Sequence, residues 1–131
     1  MHVTFENIHV GGEYSRQELS ELWDCRSYHA LARGVVTPAG DNKIILFVTE
    51  TKQNCSEPYD DRLVDRTLHW EGPNDHFAED RMLAADGNGD EIHVFHRQKH
   101  HSDFVYLGRV QVADCQRMTD KPSRFVLVCR R

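Results

Sequence analysis

The residue types best suited to chemistry lie in one stretch, DGNGDEIHVFHRQKHHSDF, at positions 86–104. Its opening has aspartate, asparagine and aspartate at the first, third and fifth positions of an EF-hand calcium loop. The sixth position, where the turn needs glycine, is Glu91, and the twelfth, where a bidentate glutamate is needed, is Arg97. The calcium pattern therefore fails, and we expect DGNGD to be a turn that ends a helix.

Histidines make zinc a second candidate chemistry for this stretch, with His96, His100 and His101 close together. A HExxH site requires a glutamate directly after the first histidine and a helical backbone. Here RQK follows instead, and the preceding residues alternate as in a strand. Arg97 and Lys99 would also repel a cation, so we expect neither a metal nor any other cofactor.

The interpretation that remains is a strand, EIHVFHR, followed by a loop, RQKHH, that carries positive charge. Arg97, Lys99 and His101 are the residues of this loop that we expect to bind nucleic acid. Arginine offers phosphate a bidentate fork, and lysine offers it a point charge. The alternative, a solvated hairpin tip, stays open because loops are commonly polar.

The elements that must position these residues follow from local patterns. Ser15 and Glu18 form a capping box ahead of an apolar stripe and predict a helix over residues 16–23; a second helix is predicted over residues 77–85. Strands are predicted at VV (35–36), IILFV (44–48), RTLHWEG (66–72), EIHVFHR (91–97), FVYLGRVQV (104–112) and RFVLVCR (124–130). The first two should form a hairpin, with IILFV buried on both faces.

These elements occur in mixed order along 131 residues, a length that suits one hydrophobic core. We therefore expect a single α+β domain over residues 1–131. Its sheet should be curved, mainly antiparallel and barrel-like, with two short helices.

Composition limits the classes of function. A net charge of -5 counts against non-specific binding to nucleic acid, without excluding a local basic patch. No apolar run approaches the ~20 residues of a membrane span, and the N-terminus lacks the pattern of a signal peptide. We expect a cytoplasmic protein that does not contact a membrane. The four scattered cysteines form no CxxC pair and are expected to be reduced apolar residues.

Other polar and aromatic residues are candidates for a DNA interface. Arg33, beside a glycine, is expected to make either a phosphate contact or a surface ion pair. Trp70 is expected either to stack on a base or to be a core residue. If Trp70 stacks, then Glu71, Asp75 or Asp80 would bond the edge of the base.

His76 and His101 are the candidate catalytic residues, because two histidines can form a general acid–base pair, with Asp80 nearby. Asp80 also suits a helix start without any function. No nucleophile motif, P-loop or GxGxxG pattern accompanies these residues. Catalysis therefore has little sequence support.

Three blocks, LARGVVTPAGDNKIILFVTETKQ, LHWEG and GDEIHVFHRQKHHSDFVYLGRV, resemble a domain of unknown function found at the C-terminus of many bacterial superfamily II DNA helicases. Similar domains accompany HNH endonuclease modules, and the resemblance covers residues 15–112. It implies a reader or docking module of DNA-processing systems, with a sheet-based fold similar to base-reading restriction domains. The matching positions are Arg33, Gly34, Thr49, Lys52, Gln53, Trp70, Glu71, His76, Asp80, Arg97, His101, Phe104 and Gly108.

The sequence therefore predicts a module that recognises DNA, as a duplex or through a flipped base, and that reads a modified base in a restriction or DNA-processing system. The predicted nucleic-acid-binding residues are Arg33, Trp70, Glu71, His76, Arg97, Lys99 and His101. One alternative is a docking domain for a helicase or an HNH nuclease, which the acidic net charge favours. The other is a small nuclease or hydrolase that uses His76, Asp80 and His101.

Overall fold

A computed structural model describes residues 2–51, 62–99 and 101–130 of the protein. The strands are β1 (Glu13–Tyr14), β2 (Val35–Val36), β3 (Lys43–Thr51), β4 (Arg62–Val64), β5 (Thr67–Glu71), β6 (Glu91–Lys99), β7 (Phe104–Gln116) and β8 (Arg124–Cys129). The helices are α1 (Arg16–Leu22), α2 (Glu79–Leu83) and α3 (Ala85–Asn88), with a 3-10 helix at Tyr28–Leu31. None of the helices in these ranges is long and apolar enough to cross a membrane.

The strands form one sheet in the order β2-β3-β6-β7-β8-β5-β4, and β1 pairs with β7 beside this path. Neighbouring strands are antiparallel except for β3 and β6, which are parallel. The sheet curls so that β4 approaches β3, and the backbone N–H of Leu63 on β4 donates to Glu50 Oε1 on β3 at 3.0 Å. The predicted α+β class with a mainly antiparallel sheet is confirmed. The sheet is open rather than a closed barrel, since β2 and β4 do not pair within the described ranges.

Hydrophobic side chains pack on both faces of the central strands, because alternate residues of a strand point to opposite faces. Ile44, Leu46 and Val48 join the core inside the curl, which β5 and β8 complete. Ile45 and Phe47 join a second core, which lies under α1 and the N-terminal segment. All five side chains are at most 5% exposed, so the prediction that IILFV is buried on both faces is confirmed.

Most predicted elements form near their predicted positions. The second predicted helix forms as α2 and α3, and the six predicted strands are β2, β3, β5, β6, β7 and β8. The predicted turn DGNGD begins later than expected, because Asp86, Gly87 and Asn88 belong to α3. Gly89 ends that helix with a φ of 82°, a conformation that glycine adopts without steric cost. The pattern missed β1, β4 and the 3-10 helix, because segments of two to four residues carry no readable periodicity.

The prediction that RQKHH is a loop is wrong in part, because β6 continues through Lys99. The reason is its neighbour: β3 pairs with β6 from Thr49↔Arg97 to Thr51↔Lys99. A polar segment can remain a strand when an adjacent strand supplies partners for its backbone groups. Arg97 and Lys99 therefore stand on a strand, whereas His101 lies in the turn before β7.

The capping box fixes the start of α1. Ser15 Oγ accepts a hydrogen bond from the Glu18 N–H at 3.1 Å, and Glu18 Oε1 accepts one from the Ser15 N–H at 3.3 Å. The helix buries Leu19 completely, and Trp23, which caps its C-terminus, is buried too. Trp23 Nε1 donates to the carbonyl oxygen of Thr4 at 2.8 Å, which fastens the N-terminal segment over the second core.

Replacing Ser15 by alanine should lower the free energy of unfolding by about 1 kcal/mol, because the first turn of α1 loses its side-chain acceptor. Ser15→Asp keeps an acceptor and should stay close to the wild type. Urea denaturation followed by circular dichroism measures both variants. Equal stability of Ser15→Ala and the wild type would show that the capping box does not stabilise the fold.

Candidate nucleic-acid interface

A groove of about 460 Å³ opens at the end of the sheet where β6 finishes and β7 begins. Leu63, Val105 and Leu107 form apolar walls, so the groove lies between β4 and the β6–β7 hairpin. Arg97 and Lys99 border the groove and supply positive charge. The groove also takes in acidic residues, Glu13 and Asp103, and the neighbouring polar residues Gln98 and Ser102.

The floor of the groove holds a buried imidazole. The His96 side chain is 8% exposed, and its Nε2 lies 3.3 Å from Glu50 Oε2. This contact lacks the geometry of a hydrogen bond, and His96 Nε2 has no hydrogen-bond partner within the described residues. Burial lowers the pKa of His96 below its ordinary 6.5, against the opposing effect of Glu50. His96 is therefore a neutral imidazole on the lining of the groove, and its Nε2 is enclosed by the protein beside Glu50.

Arg97 is held rigidly at the border of the groove. Its Nε donates to Thr49 Oγ1 at 2.8 Å, and its Nη1 donates to the Ser102 carbonyl oxygen at 3.1 Å. Its guanidinium carbon lies 4.2 Å from the centroid of the Phe104 ring, in a cation–π contact. Burial lowers the pKa of Arg97, although an arginine remains charged at neutral pH. The structure thus fixes a cation at a defined position beside the groove.

A family model of a domain of unknown function, DUF3427, matches residues 8–126. The chain belongs to this family. The match confirms the resemblance to a domain of unknown function, while the association with helicases and HNH nucleases remains a prediction. A search of curated proteins finds no match to the chain.

Among solved structures, this DUF3427 member is similar to the SRA domain of SUVH5, crystallised with hemimethylated CG DNA. The TM-score is 0.66 and the identity 17%, over 99% of this chain and 94% of that chain. At this level of identity the similarity establishes a shared fold. It also agrees with the expectation of a fold similar to base-reading domains.

Arg33 makes the surface ion pair that was one of its two predicted roles. Its Nη2 lies 3.3 Å from Asp75 Oδ2, and the two side chains are 58% and 63% exposed. The guanidinium also stacks on Phe77 with 4.4 Å between its carbon and the ring centroid. Arg33 borders a separate groove of about 240 Å³ along β2. A phosphate contact at this residue remains a prediction.

Trp70 has the core role that the sequence left open beside base stacking. Its side chain is 6% exposed and packs against Phe125 with ring centroids 5.4 Å apart. Glu71 lies 3.6 Å from Arg124 Nε, and both border a pocket of about 200 Å³. This pocket lies at the opposite end of β7 from the first groove, since Asp114 also lines it.

His76, Asp80 and His101 do not come together. His76 Nδ1 contacts the buried Glu79, and Asp80 Oδ1 lies 2.9 Å from Arg117 Nη2. His76 and Asp80 follow β5, whose last residue, Glu71, pairs with Arg124 of β8, as does the last residue of β7. His101, in contrast, comes before the first residue of β7. Because β7 has 13 residues, the length of strand between the two ends is up to ~40 Å at ~3.3 Å per residue. The predicted acid–base pair, and with it the geometry of a small nuclease, is therefore absent from the described residues.

Three cysteines within the described ranges, Cys25, Cys115 and Cys129, are free. Burial raises the pKa of each thiol, which opposes the reactive thiolate form and agrees with the prediction of reduced apolar residues. No group of three or more metal-ligating side chains forms among the residues that the structure describes. Four residues named from the sequence lie outside those residues: Lys52, Gln53, Cys55 and His100.

Sequence reasoning missed the pairing of His96 with Glu50. His96 was considered only as a zinc ligand, and Glu50 was not considered. The available signal was the alternation of side chains along a strand, which places Glu50 and Val48 on the same face of β3. Val48 pairs with His96 of β6, so Glu50 and His96 lie on one face of the sheet. Using this signal required knowing that β3 and β6 are neighbours in parallel register.

A second buried histidine, His93, has a structural role. Its Nδ1 lies 2.7 Å from the Tyr106 hydroxyl and its Nε2 lies 2.9 Å from Glu91 Oε1. The ring stacks on Phe5 with centroids 3.8 Å apart. Burial is the largest influence on the pKa of His93 and lowers it, against the opposing effect of Glu91. Both ring nitrogens are thus partnered, in contrast to His96 Nε2.

The free energy of unfolding should fall as the pH drops below 6.5, the ordinary pKa of both His93 and His96. Their pKa values are lowered in the folded protein. As the pH falls, these histidines are therefore protonated in the unfolded chain before they are protonated in the folded one, which shifts the folding equilibrium toward the unfolded chain. Urea denaturation at a series of values from about pH 7.5 to about pH 5.5 measures this dependence.

His93→Gln should reduce this pH dependence, while His29→Gln, which changes an exposed histidine, should leave it as in the wild type. A wild-type stability that stays constant across this range would contradict the assignment of neutral buried histidines.

Proposed function

We propose that this protein recognises DNA at the groove beside β6 and reads a modified base there. The observation that carries the proposal is the groove itself, which brings the polar His96 and the cations Arg97 and Lys99 together with apolar walls.

The size and lining of the groove suit a single base. Its volume of about 460 Å³ lies within the range of ~300–1,000 Å³ that is typical of small-molecule sites. Proteins that act on one base extrude it from the stack and read its Watson–Crick edge by hydrogen bonds. His96, Gln98 and Ser102 supply polar groups along the groove, and Leu63 and Leu107 supply apolar walls.

The border of the groove supplies the contacts to the DNA backbone. Arg97 and Lys99 stand at the end of β6, and His101 lies in the adjoining turn. Because the net charge is -5, we attribute attraction to DNA to this local cluster rather than to the field of the whole protein. The similarity in fold to a domain crystallised with hemimethylated CG DNA supports DNA as the ligand.

The other predicted interface residues do not contribute to this groove. Arg33 and His76 already contact carboxylates, and Trp70 lies in the core. We place the base in the groove and the backbone along the end of β6; DNA contacts of Arg33, Trp70, Glu71 and His76 remain predictions for surfaces outside this groove.

We further propose that the module serves a restriction or DNA-processing system in which a helicase or an HNH nuclease acts on the DNA that it binds. The resemblance to helicase-associated domains supports this context. The alternative docking function would use the exposed large hydrophobic residues of the described ranges. They are Val10, Leu22, Tyr28, Val64 and Leu83.

Lys99→Ala should weaken DNA binding several-fold and reduce the slope of log K against log salt by about 1, because one phosphate contact is lost. Lys121→Ala is the matched control, since Lys121 is also exposed but lies between β7 and β8 at the far end of the sheet. Fluorescence anisotropy with a labelled duplex over a salt series measures both. An unchanged slope in Lys99→Ala, or an equal loss in Lys121→Ala, would exclude this border as the interface.

His96→Leu should remove the preference between duplexes with modified and unmodified cytosine while it preserves the salt dependence. The reason is that the substitution deletes the polar group of the floor but leaves the cationic border. His96→Gln keeps a hydrogen-bonding side chain and should keep part of the preference. Anisotropy with the matched duplexes measures the ratio of affinities, after thermal unfolding has shown that both variants fold. A ratio in His96→Leu equal to that of the wild type would contradict the role of His96 in reading the base.

A further inference from the structure

Two arginines stand beside one aromatic ring on the face of the sheet opposite the groove floor. The guanidinium carbon of Arg97 lies 4.2 Å from the centroid of the Phe104 ring, and that of Arg16 lies 5.0 Å from it. Arg16 also lies 4.8 Å from the centroid of Phe47. Phe47 and Phe104 belong to the second core, so the two cations share an aromatic support.

The two positive charges are close enough to affect each other. The pKa of Arg16 is lowered to about 10, first by burial and then by the charge of Arg97. Burial also lowers the pKa of Arg97. Two half-buried like charges at short range disfavour each other, and an anion between them would remove this penalty.

Neither arginine has a carboxylate within 4.0 Å among the described residues. Arg33 is the useful comparison, because it also stacks on a phenylalanine ring, but its charge is compensated by Asp75 at 3.3 Å. The pair Arg16 and Arg97 has the same type of aromatic support without the counter-charge.

Most of the hydrogen-bonding capacity of the pair is unused by the described residues. A guanidinium carries five N–H donors. Arg16 uses its Nε for the Leu31 carbonyl oxygen at 2.7 Å, and Arg97 uses Nε and Nη1 for Thr49 and Ser102. These bonds fix both side chains and leave the two Nη groups of Arg16 and the Nη2 of Arg97 for a ligand.

We propose that Arg16 and Arg97, supported by Phe104, form a binding site for a phosphoryl group. Guanidinium groups bind phosphate oxygens through paired, charge-assisted hydrogen bonds, and two fixed guanidinium groups can share one phosphate. Arg97 also borders the groove, so a nucleic acid whose base enters the groove would bring its backbone to this site. The identification of the phosphate as part of DNA rests on the proposed function, whereas the site itself does not.

Inorganic phosphate is the first probe, because it tests the site without DNA. Titration at constant ionic strength should shift the Nε–H signals of Arg16 and Arg97 in nitrogen-proton NMR spectra and leave that of Arg33 unchanged. Arg16→Gln should raise the dissociation constant for phosphate ~10-fold, the usual effect of losing a charge-assisted hydrogen bond. Arg33→Gln is the matched control and should bind phosphate as the wild type does.

Short oligonucleotides with and without a 5′-phosphate then identify the source of the phosphoryl group. Tighter binding of the phosphorylated strand, lost in Arg16→Gln, assigns the site to a terminal phosphate. Equal binding of the two strands, weakened in Arg16→Gln, assigns it to the phosphodiester backbone.

Absence of phosphate-dependent shifts at Arg16 and Arg97 in the wild type would overturn the proposal without any variant having to fold. An Arg33→Gln effect as large as that of Arg16→Gln would also overturn it. Failure of the proposed function is distinguishable: the protein would bind phosphate at these arginines but show no affinity for DNA. Conversely, DNA binding that depends on His96 and Lys99 but not on Arg16 would retain the groove and reject the phosphoryl site as a contact to DNA.

Discussion

The parallel pairing of β3 with β6 is the interaction on which the rest of the structure depends. It joins the two strands that are buried on both faces, and it continues from Lys43↔Glu91 to Thr51↔Lys99. This register places Thr49 beside Arg97, where the two side chains bond, and places Glu50 near His96. Since a shift of one residue would exchange the faces of every side chain, both cores and the groove depend on the same register.

The end of β6 presents different chemistry on its two faces. Strand alternation turns His96 toward the inside of the curl and Arg97 toward the second core. The neighbouring residues of one strand therefore border both a groove with apolar walls and a charged border and, on the opposite face, a cationic aromatic surface. In the proposed function, this arrangement would let one rigid element contact a base and its backbone at once, and rigid elements hold binding groups more accurately than loops do.

The buried polar groups separate into satisfied and unsatisfied ones. His93 has partners at both ring nitrogens, and Glu79 contacts His76 and accepts a hydrogen bond from the buried Ser123. Such networks stabilise one conformation of the core. Three groups differ from these networks: His96 Nε2 and the guanidinium groups of Arg16 and Arg97. Burial removes water from them, and hydrogen bonds from the described residues do not fully replace that water. These polar groups near the end of β6 are hydrogen-bonded only in part by the described residues, which is the physical reason to look for a ligand there.

The sequence by itself determined the features that depend on residues a few positions apart. The capping box at Ser15, the buried run IILFV and the glycine that ends α3 are local, since each follows from neighbouring side chains and backbone conformations. Only the tertiary structure decided that β6 extends through Lys99, because its backbone partners come from β3. It likewise separated His76 from His101 and placed Arg16 beside Arg97. These outcomes depend on which strands become neighbours and in which register, and that is set by the packing of the whole core rather than by any local pattern.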